Sequence, residues 1–152
     1  MKLIILLFLC SSSLLSQKNT VIDFLKSKEI KYVWNKEDQV GSALLSTSET
    51  IFFKYWRGGH SGFYIKYHMD HDPGEMIDTK MLKQKILWMN NSFLMNEDKN
   101  IVKKQIKQIL KKMDMDKSES KVYLESVYES FLVKFNQNEN GYELIFQYEY
   151  AS

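Results

Sequence analysis

Apolar and polar positions alternate at three places along the chain, and each alternation predicts strands. Ile30, Tyr32 and Trp34 are interleaved with Lys31 and Val33 and predict a short strand. Residues 51–56 and 63–69 predict two more, separated by Arg57-Gly58-Gly59-His60-Ser61-Gly62, a glycine-rich turn signal. Setting Arg57 opposite Phe63 pairs Tyr55 with Ile65, Phe53 with Tyr67 and Ile51 with Met69. One side of this hairpin then carries Ile51, Phe53, Tyr55, Phe63, Ile65, Tyr67 and Met69, all apolar or aromatic. The other carries Phe52, Lys54, Trp56, Tyr64, Lys66 and His68. A slip of one residue would mix the two sets, so the pattern resists it. Near the end, Phe131-Val133-Phe135 and Tyr142-Leu144-Phe146-Tyr148-Tyr150 alternate in the same way about Asn140-Gly141, a strong short hairpin signal.

Helical spacing marks other segments. Val21, Phe24 and Leu25 fall on one side of a short helix that Thr20 can cap and that fades near Ser27-Lys28. Asp78 or Thr79 can cap a helix reaching Trp88, with Leu82, Ile86 and Met89 in register. The same stretch ends in Ile86-Leu87-Trp88-Met89, which also suits a strand. The best helical pattern runs from Glu97 to Met113 behind Asn96 as N-cap. Its stripe is Val102, Ile106, Ile109, Leu110 and Met113, with Lys111 and Lys112 favourably placed in the last turn. Residues 35–42 are polar and predict a loop. Residues 118–128 fit helical spacing with strand-forming residue types and are left open between the two. The fold class that follows is α+β: an antiparallel sheet built from hairpins, with amphipathic helices packed on one side.

The opening segment is of a different kind. Met1-Lys2, then an unbroken apolar run from Leu3 to Leu9, then Cys10 and three serines are the parts of a secretory signal peptide. The run is shorter than the roughly 20 residues needed to span a bilayer. The expected organisation is therefore a signal peptide over residues 1–17 and a single α+β domain over residues 18–152. The segment also resembles a bacterial lipoprotein signal, which implies lipidation at Cys10. It departs from that pattern at Leu9, where a small residue is usual, so free export is the preferred reading.

Composition adds limits. The 152-residue chain is 44% hydrophobic and 14% aromatic, too apolar for a disordered protein. Its one cysteine precludes an intrachain disulfide framework. Removal of residues 1–17 would take Cys10 and Lys2 with it and leave a thiol-free, nearly neutral domain. Such a balance argues against nucleic acid as a partner.

Three constellations carry candidate chemistry. His60, His68, Asp70, His71 and Asp72 gather all three histidines beside carboxylates, a set suited to zinc or copper. Their spacing matches no complete ligand motif. Asp114, Asp116, Ser118 and Glu125 resemble an EF-hand calcium loop and imply ligands at those positions, but Glu119 replaces its turn glycine and Lys121 its apolar residue. Gly59-His60-Ser61-Gly62-Phe63 approaches a nucleophile elbow and misses its second glycine, while the Arg57 loop suits an anion nest. Softer but broader is the second hairpin face: Phe52, Lys54, Trp56, Arg57, Tyr64 and Lys66 combine aromatic area with positive charge, the chemistry of a partner surface. A helix lying across that face would be its structural use.

No complete catalytic set and no cofactor motif is present. The leading expectation is an exported, non-enzymatic binding or interaction protein of the cell envelope, taking an envelope or extracellular protein or a small ligand. A metal-dependent protein centred on His68 and His71, and a small envelope hydrolase, are the alternatives.

Overall fold

The computed structural model describes residues 20–56, 60–70, 78–94, 96–114, 118–124 and 130–151. Over these residues, three helices and a seven-stranded antiparallel sheet make up an α+β fold. Helix α1 covers residues 20–27. Strands β1 (Tyr32–Asn35), β2 (Val40–Leu44), β3 (Glu49–Trp56) and β4 (His60–Met69) follow as a meander. Helices α2 (Thr79–Phe93) and α3 (Asn96–Lys112) then carry the chain to the far edge. Strands β5 (Glu119–Leu124), β6 (Ser130–Asn138) and β7 (Gly141–Ala151) return as a second meander, and β7 pairs with β4 in the middle. The strand order is β1-β2-β3-β4-β7-β6-β5.

Alternation decides which side of each strand is buried. Ile51, Phe53, Tyr55, Phe63, Ile65 and Tyr67 lie at 5% exposure or less, as do Phe131, Val133, Phe135, Leu144 and Phe146. Against this face pack Val21 and Leu25 of α1, Leu82, Ile86, Met89 and Phe93 of α2, and Val102 and Ile109 of α3. Asp78 caps α2 by accepting from the Met81 amide at 2.6 Å, and the helix runs on beyond Trp88 to Phe93, which still meets Phe24 (ring centroids 5.1 Å apart). Helix α3 spans Asn96–Lys112, close to the expected Glu97–Met113.

Four expectations need correction. The expected loop over residues 35–42 ends early: residues 40–42 already belong to strand β2 (Val40–Leu44). Its Gly-Ser-Ala sequence is poor in strand formers, but Gly41 lies between Trp34 and Phe53 on the flanking strands. Their rings stack over it at 5.6 Å and 11°. A Cβ at Gly41 would stand closer than 3.0 Å to both rings. The β3–β4 register is two residues from the expected one: Tyr55 opposes Phe63 and Trp56 opposes Gly62. In the expected register Trp56 would oppose Tyr64; in the observed one its indole lies on the bare Cα of Gly62. A shift of two keeps every side chain on its expected face. The β6–β7 turn is Glu139-Asn140, and Gly141, with φ of 142°, already pairs with Asn138. Finally, the segment after α3 is a strand, so residues 114–125 do not have the helix–loop–helix frame of an EF-hand. Asp116 and Glu125 lie outside the described residues, whereas Ser120 binds the Asp114 amide at 2.9 Å and ties α3 to β5.

A polar tie joins helix to sheet at one end. Lys85 of α2 donates to Glu49 of β3 at 2.7 Å and to the Tyr67 hydroxyl of β4 at 2.7 Å, and Tyr67 donates to Glu49. Partial burial opposes the charge on Glu49. The bonds from Lys85 and Tyr67 outweigh it and hold the carboxyl below its ordinary value of 4.5. The folded state thus binds this proton more weakly than the unfolded chain. The associated stability is complete above about pH 4.5 and is lost as pH falls through the lower folded value. Glu49→Gln is expected to flatten that part of the acid unfolding curve. A curve parallel to the wild type in urea titrations between pH 3 and 6 would refute the assignment.

Candidate functional site

The helices occupy one face of the sheet. No described element covers the other, so the surface expected to serve either a partner or a helix is open. Its rows can be read across the ladder. One runs Val33, Ser42, Phe52, Lys66, Ile145, Lys134 and Lys121; the next runs Asn35, Val40, Lys54, Tyr64, Gln147, Leu132 and Tyr123. Phe52 opposes Lys66 and Lys54 opposes Tyr64, so aromatic and cationic side chains alternate both along and across β3 and β4. Phe52 and Tyr64 meet edge to face with ring centroids 6.1 Å apart.

These residues line a shallow groove of about 860 Å³, with Trp56 at one end and Thr50 and Ser42 toward the sheet edge. At its β7 side, Lys66 donates to Glu143 at 2.8 Å, and Asn136 donates to the other Glu143 oxygen at 3.2 Å. Burial works against the Glu143 charge, but these two bonds and the neighbouring cations keep its pKa below the ordinary carboxylate value. Burial, with the Glu143 charge adding to it, pushes the Tyr64 hydroxyl up to about 12, so it is a neutral donor at physiological pH. Lys54 is exposed and makes no hydrogen bond or ion pair among the described residues.

Of the expected partner surface, Phe52, Lys54, Trp56, Tyr64 and Lys66 come together here. Arg57 lies outside the described residues, as does His71. His68 is on the same face, its Nε2 3.0 Å from Asp70 and its Nδ1 3.9 Å from Glu143. His60 begins β4 and His68 lies eight residues on. At strand rise they are roughly 26 Å apart, too far to share an ion. Among the described residues, no group of three or more His, Cys, Asp or Glu side chains is arranged to hold a metal ion. Ser42, Thr50 and Glu143 join the groove without having been singled out from the sequence. Glu143 was the accessible one: it alternates with Tyr142 and Leu144 and had to face away from the core. No described helix is long and apolar enough to cross a membrane.

Comparison with protein-family models, with curated proteins and with solved structures finds no match to this chain.

Proposed function

We propose that this is an exported binding protein of the cell envelope that uses the open sheet face, rather than a catalytic centre, to hold its partner. The observation that carries the reading is the groove itself: Phe52, Trp56 and Tyr64 stand half-buried on the solvent side of the central strands beside exposed Lys54, and no described element covers them. Large apolar side chains on the solvent side of a central sheet cost solubility unless something covers them, and aromatic residues with a cation between them are the residue types of interface centres. Export rests on the opening apolar segment. Intact mass of the protein from its host is expected to show cleavage between residues 13 and 17; a chain retaining Met1 would remove that part.

The binding role is tested by substitution. Trp56→Ala removes the end wall of the groove and its seat on Gly62 without emptying the core, and unchanged melting verifies that the fold is kept. Tyr123→Ala removes an exposed aromatic from the far edge of the same face. Wild type and the Tyr123 variant are expected to retain the same component of the host envelope, and the Trp56 variant to lose most of it. Equal retention by all three would end the proposal.

A further inference from the structure

Strand β5 closes one edge of the sheet, and β6 is its only strand partner among the described residues. One hydrogen bond gives the phase of that edge. The Ser118 carbonyl accepts from the Gln137 amide at 2.8 Å. Ser118 and, by alternation, Ser120, Val122 and Leu124 therefore turn their backbone groups toward β6. Glu119, Lys121 and Tyr123 turn theirs outward, a row of donors and acceptors on the kind of edge that pairs with another strand. The side chains of these three residues stand exposed on the open face, where charge is unevenly matched. Lys121 lies directly opposite Lys134 of β6. Lys134 is matched by Glu119 at 2.8 Å, whereas Lys121 is within ion-pair reach of no carboxylate among the described residues.

We propose that β5 pairs with β5 of a second copy, antiparallel about a twofold axis at Ser120, and joins the two seven-stranded sheets edge to edge. The proposal goes beyond the partner role of the open face and does not depend on it. Only the outward-turned residues can exchange backbone bonds across the axis, which limits where the axis falls. An axis at Glu119 or Lys121 sets like charges opposite each other, and one at Val122 leaves Lys121 opposite Tyr123. An axis at Ser120 sets Glu119 opposite Lys121 in both directions. Each such pair exchanges both of its N–H···O bonds and adds an ion pair. Ser120 is small, and its hydroxyl already holds the Asp114 amide, so it neither crowds the axis nor needs a partner there. A lysine on an edge strand can also serve to keep other chains away. Here Lys121 faces a like charge in its own sheet and meets an opposite one only across the axis, which favours pairing. A seam of this length buries well under the roughly 1,200 Å² of a standard stable complex, so the association is weak and reversible.

Protein isolated from its host is followed by sedimentation equilibrium from about 10 to about 500 µM, the range suited to an interface of this size. Wild type is expected to pass from monomer to dimer over that range. Lys121→Glu sets carboxylates opposite each other across the axis and should weaken the dimer by about tenfold or more. The same variant should melt no lower than wild type, because its new carboxylate lies opposite Lys134 within its own sheet. Lost association is then not lost folding. Adding Glu119→Lys restores opposite charges across the axis and should return the dimer. Wild type that stays monomeric throughout, Lys121→Glu that dimerises as tightly as wild type, or a double exchange that fails to recover would overturn the assignment. Recovery by Glu125→Lys in place of Glu119→Lys would overturn it too, by moving the axis to Tyr123.

Discussion

Replacing Gly141 with alanine is expected to lower the unfolding free energy by about 3 kcal/mol, combining a left-side backbone conformation with an unrelieved collision. Gly141 has φ of 142°, and a Cβ there would stand closer than 3.0 Å to the Met69 carbonyl oxygen. The Asp70 Cα is 3.0 Å from the same point, so the obstruction is backbone on both counts and no side-chain rotation relieves it. The start of β7 would have to move away from the end of β4, opening the Met69–Tyr142 pairing and the contact of the Tyr142 hydroxyl with the Met69 sulfur at 3.0 Å. Asn140 is the control. It lies in the same turn without positive φ, so Asn140→Ala should cost roughly 0.5 kcal/mol or less. Urea unfolding of the two variants checks the pair. Equal midpoints would show that the hairpin shifts freely and that the close approach is not required.

Phe53→Ala is expected to cost about 4 kcal/mol, in the range for emptying a buried aromatic site. Phe53 is fully buried, stacks on Trp34 across Gly41, and meets Tyr55 at 6.2 Å. The damage should be local before it is global. Strand β2 has little propensity of its own, and β1 is four residues long and pairs only with β2 among the described strands. Without the ring above Gly41, amide exchange over residues 32–44 should accelerate far more than exchange in β6 and β7. Uniform acceleration throughout the sheet would mean that the edge is held by something other than this stack.

The same stack shows why β2 was not legible. Its strand character comes from two rings donated by neighbouring strands, and no window of sequence around Gly41 contains both of them in register. By contrast, β3, β4, β6 and β7 were legible because each carries its own alternation of buried and solvent-facing residues. The β3–β4 pairing was misjudged by two positions because turn length was taken from the run of glycines, while the structure seats Trp56 on Gly62. The faces survived that error, since a two-residue shift preserves them, and with them five members of the groove. Of the remaining members, Thr50 opens β3 itself, while Ser42 and Glu143 come from β2 and β7, strands whose adjacency to β3 and β4 is a matter of topology. Ser42 and Thr50 look like ordinary polar residues until β1, β2 and β3 are laid side by side.

The late return of β7 to the centre of the sheet has a consequence for assembly. Residues 32–69 and 119–151 each form a meander of local pairings, and the ten-residue β4–β7 ladder is the one seam between them. That seam joins positions about eighty residues apart and closes the longest loop among the described strand pairings, the pairing step with the greatest entropic cost. Two polypeptides divided between α2 and α3 would each keep a full set of short-range strand pairings and lack the β4–β7 ladder and the packing of α2 on α3, which makes the protein a natural subject for reconstitution from halves.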